Sequence, residues 1–361
     1  MRITQVRTLP LTQRKDDPTW RFALRASPIV EGFLVEVLTD EGLCGWGYAA
    51  TAAHLGVSAG AVGAALAEYG PALSGRDPFR IAEALTALER LPGPAQARAA
   101  IDCALHDLVA RALGVPVYQL LGGLVRTEVP LLRILALKEP AAMAANAVRL
   151  VEAGYRYLKI KVEGDTALDV ARVRAIREAV GPHVHLTIDA NQSYSPKEAI
   201  RAIAQMEPFG IDLVEQPVRA DDLEGLALVT RTVATPVEAD ESAGSLEEIF
   251  RLCAGRLVDR VSLKLPRLGG LRQAALAVGL CQAANIRCRL GAAVGSRLLS
   301  AAALHFAAAT PYLDYACELG EFARLLDDPV QGLEVEHGIL RVPAGPGLGV
   351  QVVPAGTEAR A

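Results

Sequence analysis

The sequence predicts an α/β protein: a modified (β/α)7β barrel of the TIM type with an N-terminal α+β capping domain. Three observations carry this. Apolar runs that end in a charged residue recur through the second half of the chain, as YRYLKIKV, HLTIDANQ, IDLVEQP, PVEADES and RVSLKLP. Their charges, Lys161, Asp189, Glu215, Asp240 and Lys264, are separated by 28, 26, 25 and 24 residues. That is the length of one strand, one loop and one helix, and in a barrel of this kind functional groups sit at the ends of successive parallel strands. The length, 361 residues, suits a barrel of about 250 residues plus a smaller domain.

Taken in order, residues 1–125 do not follow the barrel period. RITQVRTLPL and GFLVEVLTDEGLCGWGYA predict antiparallel strands with a turn at Asp40-Glu41-Gly42. Helices are expected over 56–72, 78–90 and 94–113, the last with an apolar face at helical spacing. Gly114, followed by Val115-Pro116, is its stop signal. Strands followed by helices make this an α+β unit, with a boundary near 122–128. From about 129 eight strand candidates alternate with helices: VPLLRILAL, YRYLKIKV, VHLTIDA, IDLVEQP, TPVEAD, RVSLKLP, IRCRLG and YLDYACEL. The expected division is therefore a cap over 1–125, a barrel over 126–320, and a strand-and-turn tail over 321–361 that returns to the cap.

Composition narrows the class. With 51% hydrophobic and 22% charged residues the chain can bury a large core. A net charge of −4, spread without blocks, offers no surface for nucleic acid or an anionic membrane. The first residues lack the apolar stretch of a signal peptide, and no run is long enough to span a membrane, so a cytoplasmic location is expected. Six cysteines, at 44, 103, 253, 281, 288 and 317, have neither CxxC pairing nor nearby histidines, which excludes a zinc or disulfide framework. The expected partner is a small-molecule carboxylate, and self-association into a homo-oligomer is left open.

Lysine usage points to chemistry. Of 37 basic residues only six are lysine (15, 138, 159, 161, 197 and 264), and three of these fall among the strand ends. An arginine there could not give up its proton and act as a base. Asp189, Glu215 and Asp240 on consecutive strands supply three oxygen donors, which suits a hard cation such as Mg²⁺, with Mn²⁺ as the other choice. Lys161 and Lys264 flank this set on either side. A cation and a second lysine nearby disfavour the charged amine, which favours use as a base. Lys159, two residues before Lys161, points the same way along the strand and adds positive charge. Such a site fits removal of a proton α to a carboxylate, since a divalent cation stabilises the enediolate that forms. Two bases on opposite faces then allow inversion of the centre.

KIK at 159–161, DAN at 189–191, EQP at 215–217, ADES at 239–242 and the LKL…GG segment at 263–270 resemble the enolase superfamily, and within it the muconate lactonizing enzyme subgroup. The likeness extends over nearly the whole chain. It implies Asp189, Glu215 and Asp240 as Mg²⁺ ligands, Lys161 and Lys264 as the acid/base pair, and Lys159 as an electrostatic aid. Pairing of a lysine base with Mg²⁺ is a known property of that superfamily. Asn191 and Glu241 are implied near the metal, Asn191 also facing substrate. The cap loop that closes the barrel mouth holds Trp20, Arg21, Phe22 and Arg25, of which Trp20 and Arg21 are the substrate-binding candidates. His54 is a weaker candidate. Two departures stand out. Gly291 occupies the place where many members carry a seventh-strand glutamate, and Glu318, the remaining substrate-binding candidate, is a single acid where dipeptide epimerases carry an Asp-x-Asp for the substrate ammonium.

The resulting expectation is an isomerase, a Mg²⁺-dependent racemase or epimerase of an amino acid or a derivative. A cycloisomerase or dehydratase using the same enediolate is the alternative. A catalytically inactive barrel serving as a binding protein is the third reading, and the presence of all six core groups argues against it.

Overall fold

The computed structural model describes residues 1–353 apart from Leu24, Ser27 and Tyr315, and the side chains of Arg25 and His54 also lie outside the described set. Seven strands form one parallel sheet in sequence order: Leu132–Leu135, Tyr157–Lys161, His185–Asp189, Leu213–Glu215, Val237–Ala239, Arg260–Leu263 and Arg287–Leu290. Each is followed by a helix that packs outside, from Pro140–Glu152 after the first to Arg297–Ala309 after the seventh. Short polar caps start these helices where the sequence turns from apolar to mixed. Asp165, Asp222 and Ser245 accept the N–H of Leu168, Gly225 and Glu248, and Ser195 with Glu198 forms a capping box.

Alternation along the strands sorts their side chains. Leu158, Ile160, Leu186 and Ile188 are buried in the main apolar cluster with the helices. The residues between them, such as Lys159, Lys161, Thr187 and Asp189, therefore face the barrel interior.

Two of the eight expected barrel strands differ from the sequence reading. VPLLRILAL divides at Leu131. Glu128–Pro130 leaves the barrel to pair with Ile339–Arg341 of the tail, and Leu132–Leu135 alone enters the ring. The eighth, YLDYACEL, contains Tyr315, which lies outside the described residues. Among the described ones, Leu313 pairs with Cys288 and Cys317 with Leu131, and these bridges close the ring between the seventh and first strands. Asp314 lies in this stretch, with its carboxylate 3.1 Å from Arg260 of the sixth strand.

The cap is a three-stranded antiparallel sheet, Ile3–Arg14, Ile29–Thr39 and Cys44–Ala50, with the expected turn at 40–42. Helices Ala59–Leu73, Ile81–Glu89 and Ala95–Leu113 complete it, and the last ends on Gly114 in the left-handed conformation. Gly45 and Gly47 let that helix lie directly on the sheet. A Cβ on either would fall 2.2 Å from Ala104 O and 2.0 Å from Ala100 O. The tail reaches the cap at the bridges Lys15–Leu325 and Pro116–Gly347. No helix among the described residues is long and apolar enough to cross a membrane.

Candidate active site

Parallel register sets the first row of the site. Lys161 lies opposite Asp189, and Asp189 opposite Glu215, so three neighbouring strands end in Lys, Asp and Glu side by side. Asp240 and Lys264 each follow their strand by one residue. Just beyond the strand ends, Asn191, Gln192 and Gln216 have φ of 42°, 71° and 37°. Non-glycine residues rarely adopt such values, and where they do the strain gathers at functional sites. Gln216 is held there by its amide, which accepts the N–H of Asp240 and Ser242 at 2.9 and 3.1 Å and so fixes the next loop.

The charged groups are paired, and all but the half-buried Lys264 and Arg267 are buried. Lys161 Nζ is 2.5 Å from Asp189 Oδ2 and 2.7 Å from Asn191 Oδ1, and Asn191 donates to Glu241 at 3.1 Å. Lys264 Nζ is 2.5 Å from Asp240 Oδ2, while Arg267 holds Oδ1 at 3.0 Å. Lys159 lies deeper, 3.0 Å from Asp189, 2.7 Å from Glu215 and 3.0 Å from Glu318.

Burial works against the ionised form of Asp189 and of Asp240, yet the neighbouring cations win. Lys159 and Lys161 hold Asp189 below the usual carboxylate range, and Lys264 with Arg267 does the same for Asp240. Burial dominates at Glu215 and raises its pKa well above the ordinary value. Burial also opposes the charge on Lys264, but Asp240 and Glu215 overcome it and raise its pKa. At Lys264, then, the protein's own groups favour the charged amine, and a divalent cation that neutralises those carboxylates would be needed to disfavour it.

Two buried carboxylate oxygens, Glu215 Oε1 and Glu241 Oε2, have no hydrogen-bond partner among the described residues. A donor set of carboxylates without sulfur or imidazole, containing such orphaned oxygens, fits a hard divalent cation. As they stand, no three His, Cys, Asp or Glu side chains among the described residues meet closely enough to hold a metal. Lys159, Lys264 and Arg267 already occupy the shared oxygens.

A cavity of about 290 Å³ opens over this row. Lys161, Asp189, Asn191, Asp240, Glu241, Lys264 and Glu318 line its floor, with Trp20 and Phe22 from the cap above. Trp20, expected from the sequence to meet substrate, lines this cavity and is only 5% exposed. Arg21, the other cap-loop candidate, is placed differently. Neighbouring positions of this short β-hairpin point to opposite sides, and the Arg21 guanidinium turns away from the cavity to Glu163, 2.9 Å off on the barrel rim. It ties the cap loop down and does not line the pocket. Glu318 does line it, but both its oxygens are engaged by Lys159, Arg289 and the Ala292 N–H. The described set does not include the Arg25 and His54 side chains. At Gly291, a Cβ would come within 2.1 Å of Ser262 Oγ and 3.1 Å of Lys264 Cε, so the bare position makes room for the sixth-strand lysine.

Sequence reasoning missed four residues of the site. Lys15, its ammonium 3.5 Å from the Trp20 ring centroid, and Arg267 both line the cavity. Arg289 and Glu238 lie beneath it. The scarcity of lysine flagged Lys15, and the LKLPRLGG segment contained Arg267, but neither signal assigns a place.

A capped (β/α) barrel whose rim combines acids and lysines defines an enzyme of proton transfer next to a carboxylate. The chain matches the family "Mandelate racemase / muconate lactonizing enzyme, N-terminal domain" over residues 17–122 and "Enolase C-terminal domain-like" over 142–355. It belongs to the enolase superfamily, in the muconate lactonizing enzyme-like group, and is an isomerase of the racemase and epimerase type. It is 36% identical over 337 residues to the L-Ala-D/L-Glu epimerase of Clostridium acetobutylicum, covering 92% of this chain and 94% of that one. A dipeptide epimerase from Enterococcus faecalis, solved with Mg and the dipeptide L-Leu-L-Tyr, superposes with a TM-score of 0.94 at 34% identity, covering 97% of this chain and 100% of that one. A chloromuconate cycloisomerase of Delftia acidovorans is 36% identical over 288 residues, 78% of this chain and 77% of that one.

Proposed function

We propose that this enzyme inverts the carbon α to the carboxylate of an amino-acid derivative such as a dipeptide, with Lys161 and Lys264 as its two proton carriers. One observation carries the assignment: the two lysines belong to the second and sixth of the seven sheet strands, the bridged segment at Leu313 and Cys317 takes the eighth place in the ring, and both lysines line the cavity. Positions four apart in eight face each other across the mouth, one on each side of a substrate held between them. Lys161 takes the α-proton from one face as a neutral amine, and Lys264, charged, returns one to the other. The roles exchange for the opposite enantiomer. Lys159 stays charged, because three acids outweigh its burial, and it supports the negative charge that builds on the substrate.

Asp189, Glu215 and Asp240 would hold Mg²⁺, the cation present with the Enterococcus relative, and Mn²⁺ has no such support. When bound, the metal supplies positive charge to the substrate carboxylate as the proton leaves. Asn191 and Glu241 steady Lys161 and the metal side of the floor. Trp20, with Phe22, Ile29 and Val30 beside it, gives the substrate an apolar wall, which favours a nonpolar side chain. We read residues 1–125 with the tail as the cap and 126–320 as the catalytic barrel. Six free cysteines support a reducing, cytoplasmic setting.

The test is α-proton exchange in D₂O, followed by NMR across dipeptides and N-acyl amino acids. Lys264→Ala abolishes turnover in both directions and retains exchange from one enantiomer only, and Lys161→Ala shows the reverse preference. Equal exchange of both enantiomers in either variant refutes the two-base assignment. The cycloisomerase relative favours a second reading, lactone formation without inversion. Conversion of a muconate by the wild-type enzyme, with no deuterium entering any amino-acid derivative, would select it.

A further inference from the structure

Arg289 sits in the seventh barrel strand between Cys288 and Leu290, with 1% of its surface exposed. Its guanidinium grips Glu238 at two points, Nε at 3.1 Å and Nη2 at 2.6 Å. Contact at two points fixes the plane of the fork. The same Nη2 is 2.6 Å from Glu215 Oε2, and Nη1 donates to Glu318. Lys159 holds Glu215 Oε2 from another side, at 2.7 Å. One oxygen of Glu215 is thus held twice, while Oε1 is left buried and without a partner among the described residues.

Packing alone does not account for this. An apolar pair at 238 and 289 would fill the barrel interior without the desolvation that buried ions incur. Topology makes the contact directional. Glu238 lies directly opposite Glu215 on the neighbouring strand, and Arg289 is two strands further round, so the arginine reaches across Glu238 to arrive at Glu215. We propose that Arg289, oriented by Glu238, is a positioning residue that fixes Glu215 so that its free oxygen is presented to the divalent cation. This rests on the reading of Glu215 as a metal ligand.

The sign of the effect separates positioning from simple charge. Arg289 is a cation close to a cation site, so removing it should tighten Mg²⁺ binding if its charge were all that mattered. Positioning predicts the reverse. In Glu238→Gln/Arg289→Met one charge of each sign is removed, so the net field hardly changes and the measured affinity reports geometry. Metal-stripped protein titrated with MgCl₂ in a calorimeter gives the readout without any turnover. We expect the double variant to bind Mg²⁺ at least tenfold more weakly than wild type while melting cooperatively. Arg289→Lys should also weaken binding, since an ammonium cannot hold Glu238 at two points and still reach Glu215. Should the double variant fail to fold, Arg289→Lys decides by the same criterion. Mg²⁺ affinity equal to or above wild type in the deciding variant overturns the proposal, provided that Glu215→Gln has lost the metal. If Glu215→Gln itself binds like wild type, the ligand reading fails and the positioning role falls with it.

Discussion

In the cap, the helix Ala95–Leu113 presses Ile101, Leu105 and Leu108 against Val35 and Val37 of the sheet, and none of these five side chains is exposed. The barrel interior is just as inaccessible, yet it holds Lys159, Arg289, Glu215, Glu238 and Glu318, each at 2% exposure or less. Apolar burial is non-directional and contributes roughly 25 cal/mol per Å² wherever the surfaces meet. Buried ions contribute little net stability and tolerate only a narrow range of geometries. The cap core accordingly reads as what keeps the molecule folded. The barrel interior reads as what holds reactive groups in place, with its stability supplied by the apolar shell between strands and helices.

That contrast can be broken from the barrel side first. Asp240→Asn removes one of three acidic donors and one of the two acids that face Lys264. Activity should fall by at least about a hundredfold, an order of magnitude consistent with losing a preorganised electrostatic contact. Saturating Mg²⁺ should recover only part of it, and a variant at full activity in excess chelator would show that the barrel charges have another purpose. In the cap, Leu105→Ala should cost about 2–5 kcal/mol in denaturant unfolding and leave kcat of the folded enzyme near wild type. Loss of kcat without loss of stability would show the two interiors to be coupled.

A buried histidine sharpens the comparison at their junction. Burial pushes the pKa of His305 down to about 4, although a hydrogen bond with the Leu348 backbone favours the charged ring, while Nδ1 accepts the Tyr118 N–H at 3.4 Å as a neutral imidazole. Between that value and the ordinary one near 6.5 the unfolded chain binds the proton and the folded protein does not. Stability therefore falls as pH drops from about 6.5 towards 4, by at most about 3.5 kcal/mol for a shift of this size. His305→Gln should flatten that part of the pH profile, measured by urea unfolding at several pH values. An unchanged slope would assign the loss to other groups.

The smallest effects are expected in the cap loop. Trp20→Ala should alter KM and substrate preference without changing Mg²⁺ affinity, because Trp20 lines the cavity and its ring N–H has no hydrogen-bond partner among the described residues. Arg21→Ala should raise KM for all substrates by a common, modest factor, since its bond to Glu163 is a half-exposed tether worth about 1 kcal/mol or less. Substrate-dependent changes in Arg21→Ala would return that residue to the pocket.

What could be read from the chain alone was whatever repeats with the barrel unit. Lys161, Asp189, Glu215, Asp240 and Lys264 stood out because each βα step delivers its last residue to the same rim, and period-two alternation put Lys159 beneath Lys161. The turn at 40–42 and the stop at Gly114 were legible for a similar reason, since both depend on a few neighbouring residues. The interior network was not. Arg289 reads locally as one more arginine in RCRLG, and its partner Glu238 is 51 residues away in sequence, while Glu318 meets Lys159 across 159. Arg21 gave no sign that its partner was Glu163, 142 residues on. The eighth strand carried a strand-like pattern, yet its described residues pair with two different strands, Leu313 with Cys288 and Cys317 with Leu131, so its place depends on the edges of both. Local pattern determines which residues share a rim. Only closure of the ring decides which charges meet inside it, because those contacts run across strands and no spacing along the chain encodes them.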